Sequence, residues 1–158
     1  MSPRSTMIMI VRHAEKPTNT NEQRGVRPNG DHDPHSLSVR GWTRAGALVG
    51  LFAPLRGEPR AGLLRPDAIY ASGHAHEGSH RPVQTVTPLA ERLGQDVHHG
   101  FGVGDEHALA AKLVARDGVA LVAWHHEAIS ELVHAVGDMS PAPPQHWADD
   151  RFDVVWTL

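Results

Sequence analysis

The alternation of apolar runs and amphipathic stretches along the chain predicts an α/β fold. Continuous apolar runs at residues 7–11 and 119–124 are typical of strands that are buried on both faces of a sheet. Another strand is predicted at residues 67–71, and a closing strand at residues 152–158, where apolar and polar side chains alternate. Because helical patterns separate these strands, we expect a three-layer α/β/α sandwich with a mixed, mostly parallel sheet.

Apolar residues spaced three and four apart predict four helices. The first follows Ser38, a residue type that caps helix N-termini, and the second begins near Arg81. The third follows Asp105, and the fourth has an apolar face that includes Ile129. Pro88 is expected to kink or split the second helix, because proline removes a backbone hydrogen bond. Glycines mark the predicted ends of the last three helices: Gly94, Gly118 and Gly137.

A polar stretch at residues 17–37, with almost no apolar side chain, predicts a long loop. Loops of this length in a compact domain are usually functional or mobile, so this loop is the candidate lid. Its Arg24 and Arg27 are candidates to meet an acidic substrate. We find no internal repeat and no linker, and we predict a single domain over residues 1–158.

Composition narrows the possible functions. The chain has no cysteine, which excludes disulfide scaffolds, iron–sulfur clusters and cysteine nucleophiles, and its net charge of −3 does not favour nucleic acid or an anionic membrane. The apolar run at residues 7–11 is too short for a membrane span or a signal peptide, so a cytoplasmic protein is expected. Thirteen of the 158 residues are histidine, the side chain that titrates near neutral pH, binds metals and transfers protons. This excess suggests that the chain carries out a chemical reaction.

Arginines and histidines follow the predicted strands where a parallel sheet binds ligands, at the carboxyl ends. Arg12 and His13 follow the first strand, Arg81 comes after the second, and His125 and His126 follow the late strand. Arginine donates in a fork that matches phosphoryl oxygens, and a neutral imidazole can attack phosphorus. No glycine-rich nucleotide-binding motif is present. The pattern therefore predicts phosphoryl transfer that needs neither a metal nor a cofactor.

Four segments of the chain together resemble the histidine phosphatase (phosphoglycerate mutase-like) superfamily. Arg-His-Ala-Glu at residues 12–15 resembles its RHG-type signature, and residues 37–45 resemble its L-S-x-x-G-x-x-R-A segment. Residues 79–85 match its R-x-x-Q-T pattern, and residues 122–129 resemble the late strand with a catalytic histidine. The segments occur in the family's order. The resemblance implies the phosphoglycerate mutase-like form of the α/β/α sandwich.

The resemblance also implies roles for individual residues. His13 would be the nucleophile that becomes phosphohistidine, and Arg12 and Arg81 would clamp the phosphoryl group. His126 would be the second histidine of the phosphate pocket, because counting from His126 matches the family's spacing to the next aliphatic residue. His125 remains the alternative for this second histidine.

The resemblance leaves the proton donor open. One branch of the family uses an acid directly after the second histidine, which here is Glu127. Another branch uses an acid located earlier, where Asp105 or Glu106 stands, and some members manage without a strong acid. We favour Glu127. The choice matters for which substrates react, because a general acid contributes about a hundred- to ten-thousand-fold to the rate.

The predicted activity is hydrolysis of a phosphomonoester on a small molecule, or of phosphohistidine on a partner protein. A phosphatase is favoured over a mutase, because the short stretch before residues 119–124 leaves no room for a large cap that would retain an intermediate. One alternative is a module that binds phosphate or a phosphoprotein without turnover. Another is a metal-binding protein built on the histidine-rich loop and its neighbours: His74, His76, His80, His98 and His99.

Overall fold

Strands and helices alternate along the part of the chain that the structure, a computed structural model, describes: residues 5–18, 23–73 and 79–158. These residues form five strands and four helices: β1 (Thr6–Arg12), α1 (Val39–Phe52), β2 (Ala68–Ala71), α2 (Arg81–Leu93), β3 (Val97–His98), α3 (Glu106–Val114), β4 (Gly118–Trp124), α4 (His126–Val136) and β5 (Trp156–Thr157). Within the described residues, no helix is long and apolar enough to cross a membrane.

The strands form one sheet in the order β3-β2-β4-β1-β5. All neighbouring pairs are parallel except β1 and β5, which are antiparallel. The register pairs Arg12 of β1 with Trp124 of β4, and Ala71 of β2 with Ala123 of β4. The carboxyl ends of β1, β2 and β4 therefore lie side by side at one edge, as the sequence predicts for a mixed, mostly parallel sheet.

Helices cover both faces of this sheet. Along β1, Ile8 and Ile10 belong to a core that includes buried residues of α3 and α4. Met9 and Val11, which point to the opposite face, belong to a second core with buried residues of α1 and α2. The alternation follows from the two-residue period of a strand. The predicted three-layer α/β/α sandwich is thereby confirmed.

The predicted N-termini of α1 and α2 agree with the structure, but the predicted end of α3 is wrong. α3 ends at Val114, and Gly118, which was expected to end it, instead begins β4 with φ 97°. The Ser38 hydroxyl accepts a hydrogen bond from the Gly41 amide at 3.1 Å and caps α1, and Gly94 ends α2 in the left-handed region at φ 65°. Pro88 does not split α2, which is continuous from Arg81 to Leu93. Residues on both sides of Pro88, Val86 and Leu89, are buried in the core against the sheet, which favours a continuous helix.

The edges of the sheet differ most from the sequence prediction. The closing strand was expected over residues 152–158, but β5 pairs with β1 only at Trp156 and Thr157. At the start of the predicted strand, the Phe152 ring instead packs on the guanidinium of Arg12. The two-residue β3 was not predicted, since Val97 and His98 are too few to show an alternating pattern.

Candidate active site

The loop that follows β1 is fixed by α1. Both the amide and the hydroxyl of Ser38 donate to the carbonyl of Glu15, at 3.0 and 3.1 Å. The Arg44 guanidinium holds the Glu15 carboxylate in a two-pronged contact at 2.7 to 3.0 Å. A Cβ on Gly41 would clash with the Glu15 carbonyl oxygen, so glycine permits this close approach. The segment at residues 37–45 thus positions the residues that follow Arg12.

The polar residues at the start of α2 hold the same loop from the other side. The Thr85 hydroxyl accepts a hydrogen bond from the Ala14 amide at 2.8 Å and donates to the Arg81 carbonyl at 2.7 Å. The Gln84 side chain accepts from the Leu37 amide at 2.8 Å. These contacts tie the residue after His13 to the helix that carries Arg81.

A cavity of about 380 Å³ lies at the carboxyl edge of the sheet. Four of the five residues predicted for the site line it: His13, Arg81, His126 and Glu127. His125, the alternative second histidine, lines it as well, together with the cationic side chain of Lys16. The fifth predicted residue, Arg12, is absent from the cavity wall. The cavity walls therefore carry more potential positive charge than negative charge, which suits an anion.

His13 is buried, with 4% of its surface exposed, and its proton can be assigned. Its Nδ1 lies 2.8 Å from the Ala14 carbonyl, which can only accept, so Nδ1 donates and the Nε2 lone pair is free. Burial lowers the pKa of His13 to about 3, assisted by His125, Arg81 and Arg12, while the Ala14 hydrogen bond opposes the shift. His13 is a neutral imidazole at pH 7.

His125, rather than His126, contacts His13. The two rings meet edge to face with centroids 5.4 Å apart. This contact follows from the register, because β1 and β4 pair at Arg12 and Trp124 and the next residue of each strand end is a histidine. Burial is also the main cause that lowers the pKa of His125. The sequence spacing favoured His126 because it carries no information on how β1 and β4 are paired.

His126 lies at the wall of the cavity between two carboxylates. Its Nε2 is 2.9 Å from an Asp149 oxygen, and its Nδ1 is 3.0 Å from a Glu127 oxygen. The Asp149 contact has hydrogen-bond geometry, whereas the Glu127 contact is an ion-pair distance without it. His126 thus lines the cavity, as expected for the predicted second histidine of the phosphate pocket, but His125 is the one whose ring contacts His13. Sequence reasoning missed Asp149, since no motif in the chain marks it.

The side chain of Arg12 turns away from the cavity. Its Nη1 donates to the backbone carbonyl of Asp149 at 2.6 Å, and its Cζ lies 3.8 Å from the centre of the Phe152 ring. Burial lowers the pKa of Arg12, while Asp149, Glu127 and Glu15 oppose the shift. A segment near the C-terminus thus supplies the acceptors for Arg12 in this structure, and the expected clamp of Arg12 and Arg81 stays a prediction.

Arg81 fits the prediction better. Its Nη1 donates to the Pro34 carbonyl at 3.1 Å, and its side chain lines the cavity. Its charge lowers the pKa of both His13 and His125, whereas Arg12 contributes to the shift of His13. Of the two predicted arginines, Arg81 is the one that lines the cavity.

The predicted lid reaches the site through a different part of its length. His35 lines the cavity, and its carbonyl accepts a hydrogen bond from the His80 amide at 3.0 Å. Arg24 lies 3.3 Å from a ring nitrogen of His32, and neither Arg24 nor Arg27 lines the cavity. Residues 19–22 of the predicted loop lie outside the described residues.

Of the three acids considered, Glu127 lies on the cavity, with 66% of its side chain exposed. Glu106 is buried and accepts hydrogen bonds from the Gly104 amide and the Trp124 indole, at 2.9 and 3.1 Å. Asp105 accepts from the Gly102 amide at 2.9 Å. Both carboxylates thus hold the loop before α3, and Glu106 also ties this loop to β4 through Trp124.

The described residues contain no group of three or more histidine, aspartate or glutamate side chains arranged to hold a metal ion. Two members of the proposed histidine cluster, His74 and His76, lie outside the described residues. Of the others, His98 packs against Tyr70 on the sheet edge, with ring centroids 5.0 Å apart.

Comparisons with known proteins give matches among solved structures. No protein-family model matches the chain, and no curated protein matches it. The structure described as "Mycobacterial hydrolase 2" has a TM-score of 0.49 and 16% sequence identity, over 96% of this chain and 91% of that chain. The structure of a protein provisionally assigned as phosphohistidine phosphatase SixA from Nakamurella multipartitia has a TM-score of 0.47 and 17% identity, over 85% of this chain and 73% of that chain. Both similarities extend over most of this chain at low sequence identity.

Proposed function

We propose that this chain is a phosphatase of the histidine phosphatase type, acting on a phosphomonoester or on phosphohistidine of a partner protein. The observation that carries the proposal is His13, whose buried neutral imidazole keeps the Nε2 lone pair free in a cavity lined by His125 and Arg81. A neutral imidazole in such surroundings is a nucleophile for phosphorus near pH 7.

In the first step, the Nε2 lone pair of His13 attacks phosphorus, and the bond from phosphorus to the leaving oxygen or nitrogen breaks. The bonding electrons go to the leaving group, which takes a proton from Glu127, the acid on the cavity wall. The positive charge that develops on the imidazole is stabilised by the Ala14 carbonyl, which accepts from Nδ1 at 2.8 Å.

In the second step, water attacks the phosphohistidine. Its proton goes to the Glu127 carboxylate, the bond from nitrogen to phosphorus breaks, and inorganic phosphate leaves. The Nε2 lone pair is restored, and Glu127 is again protonated for the next cycle. Arg81 and His125 donate to the phosphoryl oxygens during both steps, and Lys16 adds positive charge at the cavity wall.

The test is hydrolysis of an aryl phosphate in the presence of EDTA by the parent chain, His13→Asn and His134→Gln. We expect turnover by the parent that EDTA does not reduce, loss of at least about a thousandfold in His13→Asn, and an unchanged rate in His134→Gln. His134 is a suitable control because it is an exposed histidine of α4.

The intermediate can be trapped with a ³²P-labelled substrate, and acid-labile label should appear in the parent and disappear in His13→Asn. Equal rates in parent and His13→Asn would refute the mechanism. Phosphate binding without turnover would favour the binding module, and stoichiometric metal retained after dialysis would favour the metal-binding protein.

A further inference from the structure

One short segment near the C-terminus contacts two of the side chains predicted to bind phosphate. We call residues 148–152 the C-terminal strap. The backbone carbonyl of Asp149 accepts from Arg12 at 2.6 Å, and the side-chain carboxylate of Asp149 lies 2.9 Å from His126 Nε2. The Phe152 ring covers the Arg12 guanidinium at 3.8 Å. One segment thus supplies hydrogen-bond acceptors both to Arg12 of β1 and to His126 of α4.

The Asp149 carboxylate is an anion bound to a histidine of the candidate anion site. A carboxylate oxygen accepts hydrogen bonds as a phosphoryl oxygen does, and His126 has one Nε2 to donate. The side chain of Asp149 is 94% exposed, so releasing it from His126 breaks a hydrogen bond at the surface without opening a buried contact. The contact is therefore one that an incoming anion can replace.

The strap is attached at both ends and exposed between them. Trp147, directly before it, is buried with 6% exposure and stacks on Trp156 of β5 with ring centroids 5.0 Å apart. Residues 148–151 are exposed. The strap backbone is held by hydrogen bonds from Arg12 to the Asp149 carbonyl and from the Trp147 indole to the Arg151 carbonyl, at 2.6 and 2.7 Å. The Asp149 side chain can therefore leave His126 by rotating while the backbone stays in place.

Asp149 also lies where neighbouring cavities meet. The cavity of His13 shares His126 and Glu127 with a second cavity of about 380 Å³ and shares Lys16 with a third of about 490 Å³. Asp149 lines both the second and the third cavity. Rotation of the Asp149 side chain away from His126 would leave His126 accessible from these spaces.

We propose that Asp149 is a specificity-determining residue, which holds His126 in the free protein and must be displaced by the phosphoryl group of the ligand. The inference rests on the proposed function, since the competing ligand is a phosphoryl anion. A dianionic phosphoryl group carries more charge than one carboxylate, and in the cavity it would also contact Arg81. We therefore expect it to displace the Asp149 carboxylate from His126. Released from Asp149, His126 becomes an additional donor for the ligand.

The experiment measures binding of inorganic phosphate to the parent, Asp149→Asn and Asp150→Asn by calorimetry, with competitive inhibition of aryl phosphate hydrolysis as a second measurement. We expect Asp149→Asn to bind phosphate about two- to fivefold more tightly, which corresponds to the loss of one weak contact at the protein surface. KM should fall by a similar factor with kcat unchanged, because Asp149 competes only in the free protein.

Asp150→Asn removes the same charge from the next residue, which makes no contact with His126 among the described residues, and its phosphate affinity should equal that of the parent. Unchanged or weaker phosphate binding in Asp149→Asn would overturn the inference, as would an equal gain in Asp150→Asn. If the parent neither binds phosphate nor turns over substrate, the proposed function fails as well. Turnover through His13 with no effect of Asp149→Asn would overturn this inference alone.

Discussion

At the scale of single residues, the parallel register of β1 and β4 explains which histidines meet. Arg12 and Trp124 are paired, and the His13 amide donates to the Trp124 carbonyl at 3.0 Å. The next residue of each chain segment, His13 and His125, therefore emerges at the same height on the sheet edge. Because His126 begins α4, its ring points to Asp149 on the cavity wall instead.

This register predicts unequal effects of His125→Gln and His126→Gln on aryl phosphate hydrolysis. Loss of the donor beside His13 should reduce kcat/KM by about a hundred- to a thousandfold, which is typical of a group that stabilises developing charge. His126→Gln should reduce kcat/KM by less than about tenfold. Each variant is the control for the other, and a larger loss in His126→Gln would restore the assignment made from the sequence spacing.

The sequence was sufficient to predict most of the residues that line the candidate site, but not the orientation of their side chains. His13, Arg81 and Glu127 could be predicted because each follows a strand or a motif that the chain pattern makes visible. The orientation of Arg12 could not, since its partner, Asp149, is 137 positions away and belongs to no periodic element. A contact between irregular segments leaves no pattern in a single sequence.

At the scale of elements, the motif residues of α1 and α2 hold the loop that carries the nucleophile. Ser38 and Arg44 bind Glu15 through its backbone and its side chain, and Thr85 binds the Ala14 amide. None of the three lines the cavity. In the proposed mechanism they act by positioning His13, which must lie within a fraction of an ångström of a productive distance.

A pair of glycine substitutions in α1 tests this role of the helix. Gly41→Ala should lower the free energy of unfolding by about 1–3 kcal/mol and reduce activity, because the new Cβ would overlap the Glu15 carbonyl. Gly46→Ala lies on the same helix with nothing within 4 Å of the added methyl group, and should raise that free energy by up to about 1 kcal/mol. Urea denaturation measures both. Equal effects at the two positions would contradict the tight contact with the loop.

The long elements could be predicted from the sequence because their patterns extend over many residues. β1 and β4 have seven residues each and are buried on both faces, so they read as continuous apolar runs. β5 pairs at only two residues, and the alternation that predicted a longer strand reflects partial burial beside β1 and Arg12. Short pairings depend on tertiary contacts and leave little periodicity.

At the scale of the whole molecule, the fold keeps His13, the proposed nucleophile, in its neutral form. Burial of His13 in the folded chain disfavours its charged form, so its pKa lies near 3, whereas the unfolded chain exposes an imidazole with a pKa of about 6.5. Between these two values, the unfolded chain binds a proton that the folded chain does not. The folded state is therefore stabilised relative to the unfolded state as the pH rises through this window.

It follows that acid should destabilise the parent more than a variant without this imidazole. Between pH 7 and pH 5 the His13 contribution to the free energy of unfolding should fall by about 2 kcal/mol, since each unit below the unfolded pKa changes it by about 1.4 kcal/mol. Urea denaturation of the parent and of His13→Asn at both pH values isolates this contribution, because the other titrating groups, including His125, are present in both proteins. The parent should lose more stability than His13→Asn over this interval. If both lose the same amount, His13 takes up a proton in the folded state, and its Nε2 lone pair is not held free by burial.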